Sequence, residues 1–415
     1  MISSEVDDWT FNGSSTRDYT HVYHDYPARM IPQVARKLIH LYGRSAKVLY
    51  DPYCGTGSSL VEGLIEGLDV VGTDINPLAR LIAEAKTDYS LNSSDLSEEI
   101  NTFQNTIYSK ERKSHIPDIR NIDFWFKDDV INPLGKIRYY IDEIQDMHVQ
   151  RFFQIAFSET VRESSNTRKG EFKLFRYASE KLQTHSPNPY SIMISKLDRN
   201  LKGYMQFDEI MNKMEKKPKS TILGLNSVSE IPNKEMPANS VDIVVTSPPY
   251  GDSHTTVAYG QYSRLSSEWL SLIKKENIDS TLMGGNKIQK LPDFPSDLLN
   301  AAVAQIFDKN PKRALEVASF YSDLLSSIEN VSKLLSNEGY ICYVVGNRTV
   351  NSILLPTSEA IKDFFEFCGL KYIMTHIRKI PNKRMPARNS PTNVAGKTSS
   401  TMLNEHIVVM KRTTN

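Results

Sequence analysis

Short runs of apolar and β-branched residues alternate with helical stripes in two stretches of the chain, about 25–86 and 220 to the C-terminus. In the first, residues 47–51 and 68–73 read as strands, and Leu60, Val61, Leu64 and Ile65 recur between them at helical spacing. In the second, strands are predicted at 222–225, 241–245, 340–345, 372–377 and 406–410. A long helix over 314–335 is predicted to end at the turn residues Asn337 and Gly339. Such alternation is the mark of an α/β domain with a parallel sheet. Between 90 and 219 the pattern becomes mixed, charged and helix-forming, which predicts an inserted, largely helical domain. Ser186-Pro187-Asn188-Pro189 marks a turn within it and Lys216-Lys217-Pro218-Lys219 its exit. A second irregular segment, 381–404, lies between two strands; connections that long are usually functional or disordered.

Composition narrows the class. A 415-residue chain with 40% hydrophobic and 24% charged residues is a globular protein of two to three domains. No apolar run approaches the ~20 residues of a membrane span, and the polar start Met1-Ile2-Ser3-Ser4-Glu5 lacks the pattern of a signal peptide, so a cytoplasmic protein is expected. Cys54, Cys342 and Cys368 are too widely spaced for a disulfide framework or a four-cysteine zinc site, and no metal is expected. The net charge is only +1, but its distribution is uneven. Residues 371–415 hold nine Lys and Arg against one acid, Glu405, and residues 162–219 hold thirteen basic against seven acidic groups. Residues 87–160 hold eight basic against thirteen acidic. This asymmetry reads either as solvated faces or as selected contacts with a polyanion.

Two motifs carry chemistry. Asp51-Pro52-Tyr53-Cys54-Gly55-Thr56-Gly57 stands at a strand end and opens a helix, where glycines permit close backbone approach and the helix N-terminus offers free N–H groups. Asp74, in Thr73-Asp74-Ile75-Asn76-Pro77, ends the next strand, the position from which a carboxylate holds both ribose hydroxyls of an adenosine cofactor. A dinucleotide fold requires Gly-x-Gly-x-x-Gly; Leu60 stands where the third glycine belongs, so a nucleoside cofactor without phosphates is expected. Thr246-Ser247-Pro248-Pro249-Tyr250 follows the strand 241–245. Its two prolines force a rigid turn at the strand's carboxyl end and leave the Ser247 and Pro248 carbonyls as fixed acceptors. The Ser247 hydroxyl adds a polar group and Tyr250 a flat face, parts that suit an exocyclic amine on a flipped-out base.

Together these motifs resemble the amino-methyltransferases of DNA, which use S-adenosyl-L-methionine. The Ser-Pro-Pro-Tyr form is similar to enzymes that make N4-methylcytosine; N6-adenine enzymes favour Asp-Pro-Pro-Tyr or Asn-Pro-Pro-Tyr, as do relatives acting on RNA bases or protein glutamine. His24-Asp25-Tyr26-Pro27-Ala28-Arg29 is similar to the family's segment that closes over the methionine end of the cofactor. The resemblance implies a Rossmann-like class I sheet, with residues 1–89 and 220–415 as the catalytic domain and 90–219 as an inserted helical domain for target recognition. Asn226-Ser227 stands where relatives usually show an Asp near the adenine ring, which places the insertion before the third strand and counts against 90–219 as the recognition domain; the basic loop 381–404 is a competing DNA reader. The implied cofactor-binding residues are Tyr26, Pro27, Asp51, Tyr53, Cys54, Gly55, Thr56, Gly57, Asp74, Ile75 and Asn76. Ser247, Pro248, Pro249 and Tyr250 are the implied catalytic set, and Cys54 is read as packing. His254, Tyr259, Arg264, Arg378, Lys379, Lys383, Arg384 and Arg388 are the candidate DNA contacts. The implied substrate is double-stranded DNA, methylated by a monomer in the cytoplasm of a bacterium or archaeon, at the nucleoid, with a cognate restriction endonuclease as a functional partner.

Overall fold

The computed structural model describes residues 8–171, 173–251, 259–273, 282–286, 288–380, 388–389, 399–400 and 403–414. In chain order, a 3-10 turn at Tyr19–Tyr23 precedes α1 (Pro32–Tyr42), β1 (Val48–Asp51), α2 (Ser58–Ile65), β2 (Asp69–Thr73) and α3 (Pro77–Thr87). Six helices follow: α4 (Ser93–Thr106), α5 (Ile122–Trp125), α6 (Asp128–Glu143), α7 (Met147–Ser164), α8 (Ser179–Thr184) and α9 (Pro189–Asn212). The chain then returns to the sheet with β3 (Ser220–Leu223) and β4 (Val241–Thr246), and continues through α10 (Tyr259–Trp269), α11 (Asp297–Lys309), α12 (Pro311–Leu334) and β5 (Leu335–Val345). A small hairpin, β6 (Thr349–Val350) and β7 (Ile353–Leu354), leads to α13 (Thr357–Phe367) and β8 (Lys371–Lys379). The short pair β9 (Arg388–Asn389) and β10 (Ser399–Ser400) precedes β11 (Asn404–Lys411).

The seven-stranded sheet has the order β3-β2-β1-β4-β5-β11-β8. Neighbours from β3 to β5 pair in parallel, and β11 runs antiparallel to both β5 and β8. This is the Rossmann-like class I methyltransferase sheet. The strand order reverses at β1, so a crevice opens at the carboxyl ends of β1 and β4, where open α/β sheets receive ligands.

Period-2 alternation assigns the sheet two faces. Leu49, Ile243, Val245, Cys342, Val344, Ile407 and Val409 pack with α1 and α2, whereas Tyr50, Val244, Ile341, Tyr343, Val408 and Met410 pack with α11, α12 and α13. A third core joins α4, α6, α7 and α9 to Leu78, Ala79 and Ile82 of α3, to Tyr23 and Tyr26, and to Tyr262, Leu265 and Trp269 of α10. The helical insertion therefore shares its core with elements that flank the crevice. Gly203 makes part of this junction possible: a Cβ there would stand 2.4 Å from the carbonyl of Tyr19, so only glycine lets α9 approach the 3-10 turn so closely.

Two predicted boundaries are corrected. β3 ends at Leu223, which leaves Leu225 and Asn226 outside the ladder. The turn expected around Asn337 and Gly339 is strand: β5 begins at Leu335, directly after α12, because Leu335 already pairs with Val241. The irregularity survives only as a register shift beside Ile243 and a positive φ at Glu338.

Candidate active site

Asp51, the last residue of β1, is buried and ties the two sequence motifs together. Its Oδ1 accepts from the Tyr53 amide at 3.0 Å and from Thr246 Oγ1 at 2.5 Å; its Oδ2 accepts from Ser59 Oγ. Burial raises its carboxyl to about 6, against the pull of the Ser59, Thr246 and Tyr53 hydrogen bonds. Gly57, at φ +74°, enters α2 in a left-handed conformation, and a Cβ there would stand 3.2 Å from the Ala83 methyl on α3. The turn packs on α3 because nothing projects from this position.

Asp74 closes the turn from the neighbouring strand. Its Oδ2 accepts from the Gly55 amide at 3.0 Å and its Oδ1 from the Asn76 amide at 2.7 Å; burial raises its carboxyl above the ordinary aspartate value. Asn76 caps α3 through a 3.1 Å bond from the Leu78 amide, and its Nδ2 donates to Tyr26 Oη at 2.9 Å and Ser263 Oγ at 2.8 Å. Tyr26 in turn stacks on Tyr259, with ring centroids 5.9 Å apart.

The segment before Tyr26 is clamped from both sides. His21 Nε2 meets Glu62 of α2 at 2.9 Å, and burial lowers its imidazole to about 4. From the insertion, Glu159 of α7 accepts from the Asp25 amide at 2.8 Å; from α10, Tyr262 Oη donates to the Asp25 carbonyl at 2.7 Å.

At the end of β4, Ser247 Oγ donates to Tyr250 Oη at 3.3 Å, and Tyr250 Oη donates to Glu405 Oε1 at 3.0 Å. Glu405 is paired across the β8–β11 ladder with Arg378, whose Nε donates to the Trp9 carbonyl at 3.0 Å.

These groups surround a cleft of about 950 Å³, open solvent included. All the expected cofactor residues line it except Gly57; of the expected transfer motif, Ser247 and Pro249 line it and Pro248 and Tyr250 are adjacent in the chain. Tyr259, expected on DNA, lines this cleft instead. Arg264 pairs with Glu268 one turn along α10 at 2.9 Å. Arg378 is corrected: it is buried and neutralised by Glu405, so it is an internal support and not a phosphate contact. Lys379 is exposed at the end of β8. His254, Lys383 and Arg384 lie outside the described residues, as does the Arg388 side chain.

Leu225, Asn226, Ser227 and Met283 also line the cleft but were not expected there as ligand contacts. Glu405 was missed too, although a single acid in a basic stretch was its visible signal.

The cleft fits a nucleoside-bearing cofactor in three respects. A turn that a Cβ would fill lies at Gly57, the Thr56 hydroxyl is buried without a partner among the described residues, and the Asp74 carboxylate stands at the end of β2. Among the described residues no group of His, Cys, Asp or Glu is arranged to hold a metal, and no helix is long and apolar enough to cross a membrane.

No family model matches the chain. It is 42% identical over 427 aligned positions to the type II methyltransferase M.MvaI of Kocuria varians, covering 98% of this chain and 94% of that protein. A shorter match, 32% over 68 residues, is to the type II methyltransferase M.MjaII of Methanocaldococcus jannaschii, covering 16% and 13% of the two chains. An S-adenosylmethionine-dependent methyltransferase of Methanosarcina mazei aligns over 91% of this chain and 98% of that one, with 9% identity and a TM-score of 0.34. With a relative matched along nearly its whole length, the chain belongs to the type II methyltransferases.

Proposed function

We propose that this chain is a site-specific DNA methyltransferase that methylates the exocyclic N4 amine of cytosine in double-stranded DNA, after flipping the base into the cleft. The observation that carries the reading is the Asp51 bridge: one buried carboxylate holds both the Tyr53 amide of the cofactor turn and the Thr246 hydroxyl next to Ser247. The two motifs are thereby fixed relative to each other, as direct transfer between two bound molecules requires.

S-adenosyl-L-methionine, the cofactor of this reading, would supply an electrophilic sulfonium methyl. Asp74, Asn226, Ser227, Tyr26 and Pro27, which line the cleft, would hold the cofactor, Asp74 through the ribose hydroxyls. An aromatic amine is a weak nucleophile because its lone pair is delocalised into the ring. Ser247 Oγ and the Pro248 carbonyl accept its hydrogens, draw the nitrogen toward tetrahedral geometry and offset the positive charge that develops. Tyr250, its hydroxyl anchored by Glu405, presents its ring to the base. Cys54 is buried in the turn, and burial raises its thiol well above the ordinary value, which suits packing and not nucleophilic attack. The insertion 90–219 serves target recognition, the protein acts as a monomer in the cytoplasm, and a restriction endonuclease of the same specificity is its functional partner.

Incubation with plasmid DNA and S-adenosyl-L-methionine, followed by digestion to nucleosides and mass spectrometry, tests the assignment. N4-methyldeoxycytidine is expected. N6-methyldeoxyadenosine would keep the site and overturn the base, and no modified nucleoside, with methylation of RNA or protein instead, would overturn the substrate.

A further inference from the structure

The end of α7 leads into a short hairpin to which the transfer chemistry gives no role. Arg168 N donates to the Phe175 carbonyl at 2.8 Å, Tyr177 N to the Asn166 carbonyl at 2.9 Å, and Thr167 and Arg176 form an antiparallel bridge. It follows α7, and its position is set by the packing of α7 on α10. Ser266 Oγ of α10 donates to the Ser158 carbonyl of α7 at 2.7 Å, and Arg162 Nη1 donates to the Tyr262 carbonyl at 3.3 Å, so the two helices run antiparallel. The C-terminus of α7 therefore lies beside the first turn of α10, the turn that brings Tyr259 into the cleft. The hairpin is pinned to that turn: Leu174 N donates to Gln261 Oε1 at 3.4 Å, and the Arg162 guanidinium lies 3.8 Å from the Tyr262 ring centroid.

The hairpin presents cations and aromatic faces to solvent. Residues 165–185 contain five Lys and Arg against two Glu. Arg168 and Lys169 are exposed, Phe175 is 47% and Phe124 45% exposed, and Arg176 lies 4.5 Å over the Phe124 ring. Burial lowers the His185 imidazole below its ordinary value, against the hydrogen bond to the Ser165 carbonyl, and Lys127, Lys169 and Lys181 nearby lower it further. Cations beside an exposed ring, next to the turn of α10 that carries Tyr259 into the cleft, combine the two contacts that bind nucleic acid: charge for phosphate and an apolar face for bases.

We propose that the 166–177 hairpin is a duplex-DNA contact, with Arg168 and Lys169 on phosphates and Phe175 against bases beside the flipped one. The proposal rests on the DNA reading above and locates the contact within the insertion. It is tested with the full chain and a plasmid fragment that the wild type methylates, against bulk genomic duplex. Double reversal, Arg168→Glu with Lys169→Glu, is expected to weaken fragment binding at least about tenfold and to make the slope of log K against log salt shallower by about two. Phe175→Ala is expected to reduce the preference for the fragment over bulk duplex, with cofactor affinity unchanged in both variants. If the reversal disturbs cofactor binding, Arg168→Gln with Lys169→Gln provides the same slope comparison. Unchanged affinity and slope, while the wild type methylates the fragment, would overturn the hairpin's role. A wild type that neither binds nor methylates duplex would overturn the DNA reading and this inference with it.

Discussion

Asp74 is held by amides 19 and 2 residues away, Gly55 and Asn76, whereas the hydroxyl of Tyr250 is held by Glu405, 155 residues away, and Glu405 is held in turn by Arg378 on the adjacent edge strand. The cofactor turn is thus stabilised mainly by its own strand–turn–helix units. The transfer motif depends on the antiparallel strand β11, whose Glu405 stands behind Tyr250. A short motif can specify the first arrangement by itself. The second requires β11 in place between β5 and β8, because the hydroxyl of Tyr250 is held by a residue of that strand.

Substitutions on the two sides should therefore fail differently. The largest effect is expected for Ser247→Ala, which removes the hydroxyl proposed to act on the reacting nitrogen. The turnover rate should fall about 10²–10³-fold, measured with cofactor saturating. Next is Glu405→Ala, which leaves Arg378 buried and unpaired; a stability loss of about 3 kcal/mol is expected from denaturant unfolding, together with a slower transfer step. Retention of full stability and rate would break the link between β11 and the transfer motif. Gly57→Ala should cost about 1–3 kcal/mol through left-handed backbone strain, with the Ala83 methyl 3.2 Å from the new Cβ. That loss should appear in the melting temperature and in cofactor affinity.

The smallest effect concerns Asp51. Burial raises its carboxyl to about 6, above the unfolded value, so the folded state binds the proton more tightly. Its contribution is therefore unfavourable above pH 6 and is relieved as pH falls from about 6 toward the unfolded value near 4. Asp51→Asn should flatten the stability profile across that window, by comparison of unfolding midpoints with the wild type. An unchanged profile would show that Asp51 does not titrate there.

The sheet was legible because each strand reads as a compact apolar run and the turn chemistry of Gly55, Gly57 and Pro248-Pro249 is local. Asp51, Asp74 and Ser247 were legible for the same reason. Local pattern misplaced residues 335–339, where turn-forming Asn337 and Gly339 are overridden by pairing with β4. It also misplaced Arg378, since a basic residue in a basic segment looks solvent-facing until the register sets it opposite Glu405. Tyr259 was expected among the DNA contacts; its stacking on Tyr26, 233 positions earlier in the chain, is a tertiary fact with no local signature. Nor could the sequence show that the helical insertion shares its core with α3 and α10, because helix periodicity reports a buried face but not the partner that buries it.

The division of the cleft is tested most directly by equilibrium binding of S-adenosyl-L-methionine, measured side by side for the wild type, Asp74→Asn and Ser247→Ala. Asp74→Asn should bind about 10- to 100-fold more weakly, the loss of charged hydrogen bonds, and Ser247→Ala should bind as the wild type does. Equal weakening in both variants, or none in Asp74→Asn, would contradict the account.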